Sequence, residues 1–229
     1  MRVRVDTMSD AAPSTRRGRG ARAGLDTEAI VAAARGLDPD ELTMQEVATA
    51  LGVDRKALNH HVTDRESLLE LLAIDAVRAR FDAVDLDLGE SWQDACRAYA
   101  ENMWHSLVDT GQWLAYFRFT SPSDLALALA GPAEVIAERM LAAGLDRVTV
   151  SRAMHLLVTI CRGFAQDAVI GAREGGHPQI EALRATFAAE RQGYPALRDL
   201  VDARVDDNGA AQFAFDLDAF IAAIERLAP

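Results

Sequence analysis

The residues best suited to recognition chemistry lie in one short segment and share hydrogen-bond donors: Arg55, Lys56, Asn59 and His60. Guanidinium, ammonium and amide groups donate to phosphate oxygens and to acceptors on base edges, which is how a helix reads duplex DNA in the major groove. No acidic residue follows Asp54 within this segment, although the chain has a net charge of −11. The segment therefore predicts a DNA-reading helix; an ordinary polar surface helix is the alternative.

Residues 43–62, which must position these donors, have the pattern of a helix-turn-helix. Ala48 is small enough for a second helix to cross close to it, and Gly52 suits the positive φ of a sharp turn. Apolar residues at helical spacing would lock the two helices together: Val47, Leu51, Val53, Leu58 and Val62. Helix-start signals recur at short intervals, at Asp26, at the Thr43/Glu46 capping box, at Asp54, and at Thr63 with Glu66 or Asp64 alone.

The rest of the chain also predicts helices and shows no alternating strand pattern. The expected helices are 64–82, 91–110, one from Pro132 to Gly144, 149–172, 179–191, a short one after Pro195, and 211–227. The predicted fold is all-α, with a three-helix helix-turn-helix N-terminal domain and a larger helical domain for ligand binding and dimerisation. We expect a disordered basic arm at 1–24, a DNA-binding head at 25–70 and a body at 71–229.

Charge is distributed unevenly along the chain. Residues 1–25 carry +4, mainly from Arg16, Arg17 and Arg19, whereas 26–82 carry −6 and 83–229 carry −9. The arm either solubilises the chain or lies along phosphates and the minor groove. A DNA-packaging protein would be expected to have a net positive charge, so the acidic body argues against that class.

Other functional classes lack their motifs. The sequence has no G-x-S-x-G, no glycine-rich phosphate loop, no HExxH and no Cys/His cluster, so we expect neither an enzyme nor a metal or cofactor site. His105 and His155 are interpreted as core or pocket-lining residues, and Cys96 and Cys161 as reduced core thiols. No apolar run is long enough for a membrane span and no secretory signal is visible, which predicts a cytoplasmic protein.

Segment 25–72 resembles the DNA-binding domain of the TetR family. The resemblance is carried by Leu51-Gly52-Val53, Ala57-Leu58, His61-Val62, and Arg65 before Leu68-Leu69. Residues 72–75, 89–94 and 213–218 are similar to the tetracycline repressor class in particular. The resemblance implies a ligand-responsive repressor that binds a palindromic operator as a homodimer and is released by a small-molecule effector.

The resemblance also implies roles for individual residues. Those placed to read or approach bases are Gln45, Arg55, Lys56 and His60, and those placed to hold phosphates are Thr43, His61 and Arg65. Asn59 stands where the family usually has a tyrosine that contacts phosphate, so its partner is either a base edge or a phosphate.

In the body, the large aromatic residues are dense between 81 and 119. An aromatic stripe at helical spacing is often plain core, but the family places an effector pocket here. The candidate effector residues are Phe81, Tyr99, Met103, Trp104, Trp113 and Phe117. By the resemblance, Phe81 and Tyr99 replace drug-contacting His and Asn, and Phe117 lies near the magnesium-binding His position. An apolar or aromatic effector is therefore expected rather than a magnesium–tetracycline chelate. The helices 149–172 and 211–227 are either the dimer interface or monomer core.

Overall fold

The computed structural model describes residues 25–118, 124–174, 176–189, 193–203 and 209–229. Within these ranges the chain is helical and contains no strand, which confirms the predicted all-α class. The helices are α1 (Thr27–Ala34), α2 (Met44–Ala50), α3 (Arg55–Leu58), α4 (Arg65–Phe81), α5 (Trp92–Asp109), a 3-10 helix (Gly111–Tyr116), α6 (Asp124–Ala142), α7 (Arg147–Glu174), α8 (Pro178–Ala189), α9 (Pro195–Asp202) and α10 (Ala210–Glu225).

Side-chain caps fix where the first helices begin. The Asp26 carboxylate accepts from the Ala29 amide at 2.8 Å, and the Asp64 carboxylate accepts from the Ser67 amide at 2.8 Å. Of the two start signals that the sequence offered for α4, the structure uses Asp64. The predicted capping box of Thr43 with Glu46 forms, and the structure has a second one, of Ser91 with Asp94. Each cap satisfies amides that have no partner inside the helix.

The helix expected to begin at Pro132 begins instead at Asp124, so that prediction was wrong about its start. Proline lacks one amide donor but does not prevent a helix whose flanking residues favour it. Here alanine and leucine dominate residues 125–130, and Leu125 is fully buried in the core. The predicted stop at Gly144 holds, since its φ of 92° ends the helix.

The buried side chains form two clusters that share α4. The head cluster comprises Ile30, Val31, Ala34, Leu42, Met44, Val47, Ala48, Leu58, Val62, Leu68, Leu69 and Leu72. The body cluster begins on α4 with Ile74, Val77 and Phe81 and continues through α5, α6, α7 and α10. The first half of α4 thus packs in the head cluster and its second half in the body cluster. A rotation of α4 therefore changes the packing of both clusters.

Helix α7, with 28 residues, is the longest element of the described chain. Among the described residues it alone is long and apolar enough, by composition, to cross a membrane. A core helix of a soluble protein passes the same test, and α7 packs along α5 and α10 through one buried stripe that includes Leu157, Cys161 and Ala165.

Both cysteines are free thiols buried where α5 faces α7. Burial raises the pKa of Cys96 and of Cys161 to about 12. At pH 8 only about one thiol in 10,000 is then a thiolate, the form that reacts. We expect Ellman's reagent to label neither cysteine in the folded protein and both in 6 M guanidinium. Rapid labelling of the folded protein would contradict this placement.

The raised pKa values of the two thiols also determine in which direction the stability of the protein changes with pH. The two thiols hold their protons to a higher pH in the folded state than in the unfolded state. Their contribution to stability is therefore complete below pH 9 and is lost as the pH rises from about 9 toward 12.

Candidate DNA-binding surface and effector site

A single turn sets the angle between α2 and α3. Gly52 has a φ of 64°, and its amide donates to the Thr49 carbonyl at 3.1 Å. The Val53 amide donates to the Ala48 carbonyl at 3.0 Å. These two bonds make a Schellman motif, which ends α2 and turns the chain sharply into α3. A side chain at position 52 would be strained by its φ alone, so the glycine predicted there is required.

Seven of the predicted DNA-contacting residues, which lie between 43 and 61, are exposed to solvent. The exposed ones are Thr43, Gln45, Arg55, Lys56, Asn59, His60 and His61. Helix α3 itself is short, but backbone hydrogen bonds continue its turns through Val62, whose amide donates to the Leu58 carbonyl at 3.0 Å. Leu58 and Val62 are buried beneath it. The exposed set is rich in donors and carries no acid, an arrangement that suits acceptors on phosphates and base edges.

Thr43 has a structural role in addition to its predicted phosphate contact. Its hydroxyl accepts from the Glu46 amide at 3.2 Å and donates to the Glu46 carboxylate at 2.9 Å. The capping box holds Thr43 at the exposed N-terminus of α2, where the amides and the helix dipole favour an anion. Its contact with phosphate stays a prediction.

Arg65 is the candidate residue whose surroundings differ most from expectation. Its guanidinium donates to the carbonyls of Leu42 at 2.8 Å, Pro39 at 2.6 Å and Asp40 at 3.2 Å. The side chain is half-buried and joins the start of α4 to the turn between α1 and α2. The predicted phosphate role therefore competes with an internal one that the sequence pattern did not indicate.

Replacing Arg65 with alanine is expected to lower the free energy of unfolding by roughly 1–3 kcal/mol, since three carbonyls lose a charged donor. Lysine should recover only part of this loss, because one ammonium group cannot reproduce the planar fork that spans these carbonyls. Urea denaturation measures both variants. Arg184→Ala, which removes a surface pair with Glu181 at 2.6 Å, is the control and should change stability little. Equal losses at both sites would refute the internal role.

Three of the six candidate effector residues lie together in the body cluster. The rings of Phe81 and Tyr99 meet edge to face with centroids 5.9 Å apart, and Met103 is buried one turn further along α5. The Asn102 amide donates to the Phe81 carbonyl at 3.4 Å. Burial raises the pKa of Tyr99 well above its usual range, so its phenol is neutral at physiological pH.

Phe117 lies at the edge of the same cluster. It follows the 3-10 helix, packs against the body cluster and is half-buried. The Arg162 guanidinium of α7 lies 6.0 Å from its ring centroid. A cation at that distance over an aromatic face is attracted by the ring quadrupole.

The other two candidates differ in their surroundings. Trp104 also packs against the body cluster, where it stacks on Phe213 of α10 with centroids 4.7 Å apart. Trp113 packs against the head cluster, not the body cluster. One aromatic stretch of sequence thus contributes to both clusters, because residues of the 3-10 helix pack against each of them.

The basic arm, with Arg16, Arg17 and Arg19, lies outside the described residues. Among the described residues, no three His, Cys, Asp or Glu side chains are grouped as a metal site would need.

Solved structures with the same arrangement of helices are regulators. A TetR from Streptomyces coelicolor is 22% identical over 90% of this chain and 100% of its own, with a TM-score of 0.62. ActR of the same organism, in complex with actinorhodin, is 20% identical over 90% of this chain and 98% of its own, with a TM-score of 0.65. TetR from Acinetobacter baumannii is 25% identical over 89% and 98%, with a TM-score of 0.57. No protein-family model matches the chain.

The chain has the fold of the TetR family. These matches span the head and the body, so they confirm the predicted resemblance and the predicted helix-turn-helix with a larger helical domain.

In this TetR fold, the outer faces of α7 and α10 carry exposed apolar side chains. Leu156 of α7 is 46% exposed and Phe215 of α10 is 66% exposed, although Leu157 and Leu217 nearby in sequence are buried. Each helix therefore has one apolar stripe in the monomer core and further apolar residues facing outward. The interface and core interpretations of these helices are compatible, because different faces are involved.

Sequence reasoning missed the contacts that join head and body in this TetR fold. The Arg35 guanidinium of the head donates to the Asp75 carboxylate of α4 at 2.8 and 3.0 Å. The Tyr116 phenol donates to Asp40 at 3.0 Å. Beside the first pair lies a groove of about 470 Å³ with Ala76, Ala79 and Trp113 among its lining residues. These pairs are 40 or more residues apart, and no local pattern signals them.

Proposed function

We propose that this protein is a ligand-responsive transcriptional repressor that binds a palindromic operator as a homodimer. The observation that carries the proposal is the exposed donor set on α2 and α3, with no acidic residue between Arg55 and Val62. The Schellman turn at Gly52 holds this set at a fixed angle in a chain that is otherwise acidic. The residues that would read bases are Gln45, Arg55, Lys56 and His60, and those that would hold phosphates are Thr43, His61 and Arg65. Asn59 is exposed as well, and it would contact either a base edge or a phosphate.

Dimerisation is proposed through the outward faces of α7 and α10. One recognition helix reads too few base pairs for strong specificity, whereas a two-fold dimer reads two half-sites. Pairing α7 and α10 with their symmetry mates would make a four-helix bundle and bury Leu156 and Phe215, whose exposure supports this choice. We further infer that residues 25–70 act as the DNA-binding unit and 71–229 as the effector and dimer unit.

The proposed effector site is the part of the body cluster around Phe81, Tyr99, Met103 and Phe117. These side chains are apolar apart from the Tyr99 phenol, which suits an apolar or aromatic molecule. Among the structural neighbours, ActR is in complex with actinorhodin and a variant of the Acinetobacter baumannii TetR is in complex with minocycline. Trp113 is excluded from the proposed site because it packs against the head cluster, whereas Trp104 packs against the body cluster, stacked on Phe213, and stays a candidate.

The proposed release mechanism is a shift between two dimer geometries. An effector that binds one geometry better moves the population toward it, and only by its difference in affinity for the two. Because α4 belongs to both clusters, a change in the body cluster changes the orientation of the head. No catalytic activity is proposed, and we expect the protein to act in the cytoplasm, where its operator is.

Selection from a random duplex library tests this function. The full chain is mixed with random duplexes, the bound fraction is amplified, and the enriched sequences are read. We expect one short palindrome to emerge. Enrichment without sequence preference would favour a coating or packaging role, and no enrichment would refute DNA binding.

The effector class has its own test, made on the selected palindrome. Neutral aromatic compounds are expected to release the protein from the palindrome, and tetracycline with magnesium is not. Phe81 and Tyr99 offer ring carbon and a phenol, whereas a magnesium chelate needs stronger oxygen or nitrogen ligands. Release by tetracycline with magnesium alone would overturn the proposed class.

The arm is proposed to contact phosphates or the minor groove through Arg16, Arg17 and Arg19. Deleting residues 1–22 should weaken palindrome binding and make it less dependent on salt, since each lost phosphate contact lowers the slope of log K against log[salt] by about 0.9. Titrations from 50 to 200 mM NaCl measure the slope. An unchanged slope would assign the arm no part in binding.

A further inference from the structure

Consecutive residues at the end of the 3-10 helix face two different cores. Tyr116 packs against the head cluster, and its phenol donates to the Asp40 carboxylate at 3.0 Å. Phe117 packs against the body cluster beside Arg162. Both rings are half-buried. A backbone shift at Phe117 is therefore made next to the residue that contacts the head.

Asp40 belongs to the turn that sets the start of the helix-turn-helix. The Leu42 amide donates to the Asp38 carbonyl at 2.8 Å, which closes the turn, and Thr43 follows as the N-cap of α2. Arg65 holds the same turn from α4 through the carbonyls of Pro39, Asp40 and Leu42. The turn is thus held by several hydrogen bonds, and Asp40 lies three residues before the N-cap of α2.

We propose that Tyr116 is a positioning residue that latches the DNA-binding head to the body in the operator-binding geometry. It acts through Asp40 on the α1–α2 turn and so reaches α2 without passing through α4. A second tie, from the Arg118 guanidinium to the Glu66 carboxylate at 3.2 Å, joins two exposed side chains and contributes little. The Tyr116 link differs from it because the half-buried ring of Tyr116 also packs against the head cluster, whereas Arg118 and Glu66 are both exposed.

Through the latch, an effector bound in the body cluster would change the orientation of the DNA-binding head. This step rests on the proposed function, because it takes Phe117 as part of the effector site. A ligand that draws Phe117 into the body cluster would withdraw the Tyr116 phenol from Asp40. The head would then be held mainly through α4 and would sample more orientations, which weakens binding to two half-sites at fixed spacing.

Tyr116→Phe tests the latch, because it removes the hydroxyl and keeps the ring that packs on the head. Hydrogen exchange of the amides from 40 to 43 should accelerate about three- to tenfold, and affinity for the selected palindrome should fall by a similar factor. The melting temperature of the body should not change. Tyr194→Phe, at an exposed tyrosine of the α8–α9 connection, is the matched control and should alter neither readout.

Variants of Asp40 separate a hydrogen bond from general packing. Asp40→Asn keeps an acceptor oxygen but loses the charge and should fall between the wild type and Asp40→Ala, whereas Asp40→Ala should reproduce Tyr116→Phe. The double variant Tyr116→Phe with Asp40→Ala should be no worse than either single one. Additive losses, or a neutral Tyr116→Phe, would overturn the latch.

Hydrogen exchange needs no DNA, so the two proposals fail in different ways. If the wild-type chain selects no duplex, the proposed function is wrong, while faster exchange in Tyr116→Phe still supports the contact between head and body. If the wild-type chain selects a palindrome and Tyr116→Phe changes neither exchange nor affinity, the latch alone is wrong.

Discussion

Exchanging both Arg55 and Lys56 for alanine is expected to lower affinity for the selected palindrome by at least about 100-fold without changing the stability of the protein. Both side chains are exposed at the start of α3 and support nothing in the head cluster. A well-placed pair between a basic side chain and a guanine is worth about 1–3 kcal/mol of discrimination, and a dimer would lose each contact twice. Fluorescence anisotropy with the labelled palindrome measures the loss.

A charge-matched control separates recognition from general electrostatics. Arg184→Ala with Arg226→Ala removes the same charge from the body, and its effect on binding should be less than threefold because charges beyond a Debye length of about 8–10 Å are screened. Equal losses for the two double variants would show that binding depends on net charge and not on α3.

The second large effect is expected at the outward face of α10. Phe215→Glu should convert the dimer to a monomer at micromolar concentration and abolish palindrome binding, because two buried carboxylates would face each other or their neighbours without partners. Sedimentation velocity measures the mass. Phe215 is 66% exposed in the single chain, so glutamate there should not disturb the monomer core.

Leu127→Glu is the matched control for the dimer test. Leu127 on α6 is 76% exposed and lies outside the proposed interface, so the same change of an apolar residue to a charged one should leave the dimer intact. A monomeric Leu127→Glu with a dimeric Phe215→Glu would place the interface on a different face.

The local features of the head could be predicted because their causes are local. The Thr43/Glu46 capping box, the Asp54 cap and Gly52 are each determined by residues within a few positions, and the structure contains all three. The start of α6 was predicted wrongly because its cause is not local. Pro132 is a strong local signal, but the burial of Leu125 depends on residues from distant helices.

Which residues share a site could be predicted only in part. Phe81 and Tyr99 meet because α4 packs on α5, and Trp113 departs because the 3-10 helix turns it toward the head. Arg65 matches a basic position of the family pattern, yet the sequence does not show that Pro39, Asp40 and Leu42 offer it their carbonyls. Such partners come from tertiary packing and leave no periodic signal along the chain.

The stoichiometry of the complex with the selected palindrome tests the central claim most directly. Sedimentation equilibrium of the full chain with the labelled duplex should give two chains per duplex, and footprinting of the same complex should protect two half-sites about one helical turn apart. Saturation at one chain per duplex, or a mass that rises with protein concentration without reaching a plateau, would contradict a homodimeric operator-binding repressor.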